Sequence, residues 1–396
     1  VSTTIMLYSH DSVGLGHARR NRTLAFALAA ALPGVLGDTV RGLLIAGHPD
    51  ASRDTLPDGW DWLVLPGMTH GDGGYVARAL DAHPRQVRAL RGSIVDAAID
   101  ALPPDLFIVD RHPYGVDREL ADVLARLRDA GCRTVLGLRD ILDAPHVAAA
   151  EWRRLGDPGA LAASFDAVWL YGDPFVHDAR RTGELPDRLA DVAVPTGYLA
   201  HGRPPAPGGA GEPRGPYVLT LLGGGSDGRE LARLALSASV PDGHEHLIVT
   251  GPQLPPAHAV ELAARAAAAG RTRVVRTAPN VPELIAAAAA VMAMCGYNTA
   301  TEIMASATPA LVVPRCSRRQ EQLLRAQALA AAGVLDWVAP GAAIPERLSG
   351  WLAEAVTRST SRDRIDLDGL RCVPRLAAAL LAPPVPIESR SLCHAR

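Results

Sequence analysis

Three short loops carry the residues best suited to proton transfer and anion binding. The first is "SHDSVGLGHARRN" (9–21), where His17 directly follows Gly14-Leu15-Gly16. Imidazole titrates near neutral pH, and the two glycines allow close approach of another group, so His17 is a candidate general base. The dinucleotide spacing G-x-G-x-x-G fails here, because Arg19 stands at the third glycine position.

The second loop, "LLGGGSDGRE" (221–230), places Gly223, Gly224, Gly225 and Ser226 between a strand-like run and a helix-forming one. Free N–H groups at such a turn suit a diphosphate. Gly223, Gly225 and Gly228 match G-x-G-x-x-G, yet the next apolar run, "HLIVTG" (246–251), ends in Thr250-Gly251. A nicotinamide dinucleotide site wants a carboxylate there. A dehydrogenase is disfavoured, diphosphate binding is retained, and a tight turn without ligand is the plain alternative.

The third loop is "MCGYNTATEIM" (294–304). Asn298 or Thr299 is expected to cap the helix that follows, with Glu302 on its first turn. Phosphate at the helix start and ribose hydroxyls on Glu302 would together hold a nucleotide. Thr299 and Glu302 also have capping-box spacing, which is the structural alternative.

Apolar β-rich runs alternate with helical stretches throughout, which predicts parallel sheets covered on both faces. In the first part these runs are 4–8, 41–47, 106–110, 133–138 and 167–172, with helical stretches at 17–32, 75–101 and 116–130. The segment "HGRPPAPGGAGEPRGP" (201–216) reads as an interdomain linker. The alternation then restarts at 217–225, 246–251, 272–278, 289–296 and 309–315. The expected fold is α/β, with two Rossmann-like, doubly wound parallel-sheet domains facing across a cleft. Their bounds are 1–200, the linker 201–216, 217–382, and a loosely packed tail 383–396. Ligands bind at the carboxyl ends of such sheets.

Composition narrows the chemistry. All 40 basic residues are arginine. Without lysine there is neither a Schiff base nor a P-loop lysine. The alanine- and arginine-rich usage fits a GC-rich genome such as an actinomycete's. A formal net charge of −2 argues against bulk attraction to nucleic acid or anionic membrane. The five cysteines lack C-x-x-C spacing, so no disulfide framework or zinc site is indicated. No segment reads as a signal peptide or membrane span, and the expected location is cytoplasmic.

The stretch "CGYNTATEIMASATPALVVP…RRQEQLLRAQALAAAGV" resembles the donor-binding signature of GT-B glycosyltransferases. The likeness is to the branch holding the peptidoglycan N-acetylglucosaminyltransferase and the predicted bacterial glycosyltransferases related to it (family 28-like). "LRDILDAP" (138–145), "YGDPFV" (171–176) and "TGYL" (196–199) fit the same group. The resemblance implies that Glu302 holds ribose, and that the Gly296–Thr299 turn and the Gly223–Ser226 loop hold diphosphate. It also implies that Glu321 and Gln322 read donor-sugar hydroxyls, and that Val281 lies near the base. Arg325 departs from the family's usual asparagine in that region. It would be either a diphosphate ligand or a surface ion pair.

Inverting sugar transfer needs a base for the acceptor, charge stabilisation on the leaving diphosphate, and alignment of both substrates. The diphosphate loops belong to the second half, so the base is expected from the first. His17 is the candidate, as it is at the family's corresponding turn. Asp110, at the end of "LFIVD", is the preferred carboxylate partner, with Asp11 and Asp140 as runners-up. Gly14, Gly16 and His112 form the expected acceptor-side loops. The arginines 19, 20 and 22, and those of the 75–101 stretch (78, 85, 88 and 91), read as solvated helix faces, with peripheral membrane contact disfavoured.

The expected activity is metal-independent, cofactor-free, inverting transfer from a UDP- or GDP-sugar. A ribonucleotide is weakly favoured over dTDP because Glu302's proposed partners include the 2′-hydroxyl. The acceptor would be a small natural product or an envelope, glycan or lipid-linked molecule. The alternatives are a nucleotide-sugar epimerase or hydrolase on the same fold, or a catalytically silent GT-B binding protein.

Overall fold

"STTIMLYS" is almost entirely apolar or β-branched, and in a computed structural model it forms a buried central strand. The structure describes residues 2–382 apart from 13, 72, 205–212, 214, 225–226, 279 and 316–318. Most of the expected linker and all of the expected tail therefore lie outside the described residues.

The strands, in chain order, are β1 (Ser2–Ser9), β2 (Thr39–Ala46), β3 (Trp60–Val64), β4 (Met68–Gly71), β5 (Gly74–Ala77), β6 (Leu106–Asp110), β7 (Arg133–Arg139), β8 (Ala167–Tyr171) and β9 (Ala193–Pro195). They are followed by β10 (Tyr217–Leu221), β11 (Glu245–Val249), β12 (Thr272–Val275), β13 (Ala290–Ala293), β14 (Ala310–Val312) and β15 (Asp336–Trp337). Seven form a sheet in the order β3-β2-β1-β6-β7-β8-β9, and six form another in the order β12-β11-β10-β13-β14-β15. All pairings within these two sheets are parallel. β4 and β5 make a separate antiparallel hairpin.

The two sheets place their chain reversals at equivalent points. In the first sheet β1 lies between β2 and β6, and in the second β10 lies between β11 and β13. Loops leaving such neighbouring strands in opposite directions open a crevice at their carboxyl ends. The histidine loop leaves β1 beside Asp110 at the end of β6, while the Gly223 loop leaves β10 beside the Gly296 turn after β13.

The expected 75–101 helix begins only at Pro84, because residues 74–77 are spent on the hairpin; it runs Pro84–Ala101. Arg91 does not lie on a solvated face. It is fully buried, donating to both Glu119 carboxylate oxygens at 2.6 and 2.7 Å. Arg78 reaches back to the carbonyls of Asp11, Ser12 and Gly47, bracing the histidine loop. The terminal helix Gly369–Leu381, placed by sequence with the second half, packs on the first helix, Gly16–Leu36. Among the described residues, no helix is long and apolar enough to cross a membrane.

Arg325 is neither a free diphosphate ligand nor a surface ion pair. It is fully buried and crosses from the helix Glu321–Ala331 to Asp140, just beyond β7, with Nη2 2.7 Å and Nε 3.0 Å from Oδ1. Its Nη1 donates to the Cys295 carbonyl at 3.0 Å. Removing one partner of a buried pair strands the other charge. Asp140→Ala is therefore expected to lower unfolding free energy by about 3–5 kcal/mol, measured by urea unfolding. The apolar double variant Asp140→Leu/Arg325→Met should recover most of that loss.

Candidate active site

Asp110 ends β6 fully inside the molecule and meets His17, which lies not on the loop but on the first turn of the helix Gly16–Leu36 that follows β1. His17 Nδ1 lies 2.7 Å from Asp110 Oδ2. A carboxylate at that distance accepts a proton-bearing Nδ1, which leaves Nε2 as the basic nitrogen. Arg20, one helical turn on, is also buried and donates to both Asp110 oxygens at 2.6 and 2.8 Å, so it is not on a solvated helix face. Burial alone would raise the Asp110 carboxyl, but Arg20 and His17 outweigh it and hold the group at about 2. The expected His17–Asp110 pairing is thus present in the geometry.

The runners-up have other tasks. Asp11 Oδ1 accepts the Ala18 N–H at 3.0 Å and fastens the start of the first helix, while Asp140 is committed to Arg325. Asp11 and Arg111, just beyond the ends of β1 and β6, adopt left-handed φ values of 43° and 67°, so the backbone is strained where the chain leaves both strands. His112 packs edge-on against His10, their centroids 4.1 Å apart, and lines neither cavity described below. Burial pushes both His10 and His112 well below the usual imidazole range, which keeps them neutral beside His17.

On the opposite wall Gly223 turns with φ 62°, and a Cβ on Gly251 would lie 2.3 Å from its carbonyl oxygen. That position tolerates only glycine. Gly14 and Gly224 both abut the Gln253 side chain, so the loops of the two halves nearly touch. Gly225 and Ser226 lie outside the described residues.

The helix expected after the Gly296 turn spans Tyr297–Met304, with Gly296 at its N-cap and no side-chain cap. Asn298 does not cap it, because its amide donates instead across the cleft to the Gly16 carbonyl at 2.9 Å. Thr299 and Glu302 make no capping box, and Glu302 falls on the second turn rather than the first. Glu302 Oε1 meets Arg203 at 3.2 Å and Arg19 at 3.6 Å, leaving Oε2 unused among the described residues.

A cavity of about 480 Å³ between the halves is lined by His17 and Gly16 on one side. Gly223, Gly296, Thr299, Glu321 and Gln322 line the other. A second cavity of about 410 Å³ holds Glu302 and Val281, and shares Leu15, Arg19, Gly223 and Pro252 with the first. Sequence reasoning missed Tyr297, Arg139 and Arg315, which also line the first cavity. Arg139 was legible in principle, since it ends a strand whose carboxyl edge faces the cleft. Arg315 holds Glu321 Oε1 at 2.6 Å and Asp227 at 2.7 Å, while Gln322 Oε1 accepts the Arg315 N–H at 3.2 Å. Among the described residues no group of three or more His, Cys, Asp or Glu could hold a metal ion.

No protein-family model and no curated protein matches the chain in sequence. Solved structures do match its shape. The glycosyltransferase SnogD from Streptomyces nogalater superposes with TM-score 0.57 at 18% identity, over 96% of this chain and 100% of its own. MurG from Acinetobacter baumannii gives 0.56 at 15% identity, covering 94% and 98%. A proposed UDP-N-acetylglucosamine 2-epimerase from Listeria monocytogenes gives 0.55 at 12%, covering 95% and 91%. The chain has the GT-B fold, which hosts more than one activity.

The Asp110 carboxyl, held near 2 against an ordinary 3.8, stabilises the fold fully above about pH 4 and loses that contribution as pH falls towards 2. Asp110→Asn should cost about 3 kcal/mol or more at neutral pH, because Arg20 is left buried and unpaired. In urea unfolding across a pH series, the gap to wild type should narrow between pH 4 and 2.

Proposed function

We propose that this chain is an inverting glycosyltransferase that moves a sugar from a nucleoside-diphosphate donor to an acceptor held by the first half. The observation that carries the reading is the His17–Asp110 contact of 2.7 Å, set in a cleft opposite the Gly223 loop and the Gly296 turn. The shared fold supports it without deciding it.

The nucleotide would enter the cavity of Glu302 and Val281, its ribose hydroxyls donating to Glu302 Oε2. Its diphosphate would pass Gly223 to the start of the helix Tyr297–Met304, whose first N–H groups have no intrahelical partner. The donor sugar would then lie against Glu321 and Gln322, with the anomeric carbon facing His17. As the acceptor attacks, His17 Nε2 takes its proton while Asp110, itself held in place by Arg20, orients the ring and offsets the developing imidazolium. The bond to the sugar forms on one face as the diphosphate leaves from the other, which inverts the anomeric centre. Leaving charge would be met by helix N–H groups and Arg315, a scheme that needs no metal or cofactor. The acceptor is a small molecule or a glycan or lipid-linked one, entering from the His17 side.

Calorimetric titration with UDP, GDP and dTDP tests the donor site. The ribonucleotides are expected to bind more tightly than dTDP. His17→Ala is expected to slow donor hydrolysis or transfer by about 10²–10⁴-fold while leaving diphosphate affinity unchanged. Absence of binding by all three nucleotides would refute the proposal, and epimer formation without an acceptor would replace transfer with epimerisation.

A further inference from the structure

Arg139, the last residue of β7, lines the cleft cavity from the first half. Its guanidinium makes no hydrogen bond or ion pair among the described residues, and its Nε is buried without a partner. This sets it apart from its neighbours, since Arg20, Arg111, Arg315, Arg319 and Arg325 are all paired with carboxylates.

A second orphan lies in the same cavity. Glu321 Oε1 is taken by Arg315, but its Oε2 is buried with no partner. Arg139 and Glu321 feel each other electrostatically. Burial pushes Arg139 down to about 9 against the pull of Glu321, and Arg139 heads the charges that keep Glu321 ionised despite its burial. No hydrogen bond joins them. A donor and an acceptor in one cavity, each incomplete and not closed on the other, lack a group that does both.

We infer that Arg139 and Glu321 clamp one hydroxyl of the donor sugar from opposite sides of the cleft. The hydroxyl oxygen accepts from the Arg139 guanidinium, and its hydrogen goes to Glu321 Oε2. The inference rests on the reading of the cleft as a nucleotide-sugar site, and it adds a first-half residue to sugar selection.

Charge decides between a hydroxyl and an anion. Of the charged groups on the cavity wall, Arg19, Arg20 and Asp50 are paired with Glu302, Asp110 and Arg53; the rest, Arg139 and Arg315 facing Asp227 and Glu321, are two cations against two carboxylates, so this part of the pocket is balanced as it stands. A carboxylate or phosphate on the ligand would place surplus negative charge beside Glu321. A hydroxyl satisfies both groups and leaves the balance intact. Hydrogen bonds to charged groups contribute enough for roughly tenfold to hundredfold in affinity.

The test is calorimetry on the full chain, wild type, Arg139→Met, Arg139→Lys, Glu321→Gln and the double variant Arg139→Met/Glu321→Gln. The probes are UDP-glucose, UDP-galactose, UDP-N-acetylglucosamine, GDP-mannose, dTDP-glucose and UDP-glucuronate, each against its parent diphosphate. In wild type at least one neutral sugar should add tenfold or more to the affinity of its diphosphate. Arg139→Met and Glu321→Gln should each remove that gain with diphosphate affinity unchanged, and the double variant should lose no more than either. Arg139→Lys should restore part of the gain, and Arg139→Met should melt no lower than wild type, since it removes an unpaired cation.

The inference is overturned if no neutral sugar adds affinity, if the variants weaken diphosphate and nucleotide sugar alike, or if the two losses multiply. A preference of wild type for UDP-glucuronate over UDP-glucose also overturns it, making Arg139 an anion receptor. Binding of no diphosphate at all defeats the glycosyltransferase reading itself, and this inference with it.

Discussion

Two buried ion pairs, each packed near one tyrosine ring, tie together the walls of the cleft. Asp110 and Arg20 pair inside the first half, and Asp140 and Arg325 pair across the halves. Both guanidinium groups lie against the Tyr297 ring, at 5.4 and 5.8 Å from its centroid. A buried charge is tolerable only with its partner in place. Each member therefore fixes the next, from His17 through Asp110 and Arg20 to Tyr297 at the start of the helix Tyr297–Met304, and on to Arg325 and Asp140. His17 and the Gly296 turn belong to different sheets, yet the same chain of contacts sets their separation.

The topology explains why chemistry collects there. Each sheet reverses its winding between its first strand and the neighbour reached by the long crossover, β1 with β6 and β10 with β13. His17 and Asp110 flank one reversal, while Gly223 and Gly296 flank the other. Setting the two reversals face to face gives a histidine held by a carboxylate on one wall and a helix N-terminus on the other, without any residue needing to reach far. Further contacts tie the walls together. Asn298 donates to the Gly16 carbonyl, Arg319 bonds Glu151 at 2.6 Å, and the Gln320 N–H donates to Asp143 at 2.9 Å. Such a cleft is largely formed before a ligand arrives, which reduces the ordering that binding must pay for.

What sequence could reveal followed from distance along the chain. The glycine loops, His17 and the alternation of strand and helix are local, so they were legible. Asp110 was legible because a strand end beside the first loop is where parallel winding delivers it. Arg20 read as a solvated face, and Arg325 as a diphosphate ligand or a surface ion pair, because their partners lie 90 and 185 residues away. Nothing in "HARRNR" or "LLRAQ" announces a buried carboxylate opposite. The Asn298 side chain failed for the reverse reason. Its local pattern is that of a helix cap, but the Gly16 carbonyl of the other half offers a better acceptor. Local rules decide an element; tertiary partners decide what its polar side chains do.

The absence of lysine gives this architecture its particular form. Arg325 spends Nε and Nη2 on Asp140 and Nη1 on the Cys295 carbonyl, and Arg20 grips both oxygens of Asp110. A planar guanidinium can satisfy two partners in fixed directions at once, whereas an ammonium is a point charge on a flexible stem. A lysine at either position would keep the charge but lose the direction, and the Tyr297 ring would lose a flat cation packed near it. Codon bias alone would account for arginine on the surface. Inside the cleft the same residue does what its planar geometry permits: it grips the Asp110 and Asp140 carboxylates and the Cys295 carbonyl in fixed directions, so that His17 and the Gly296 turn face each other at a set distance.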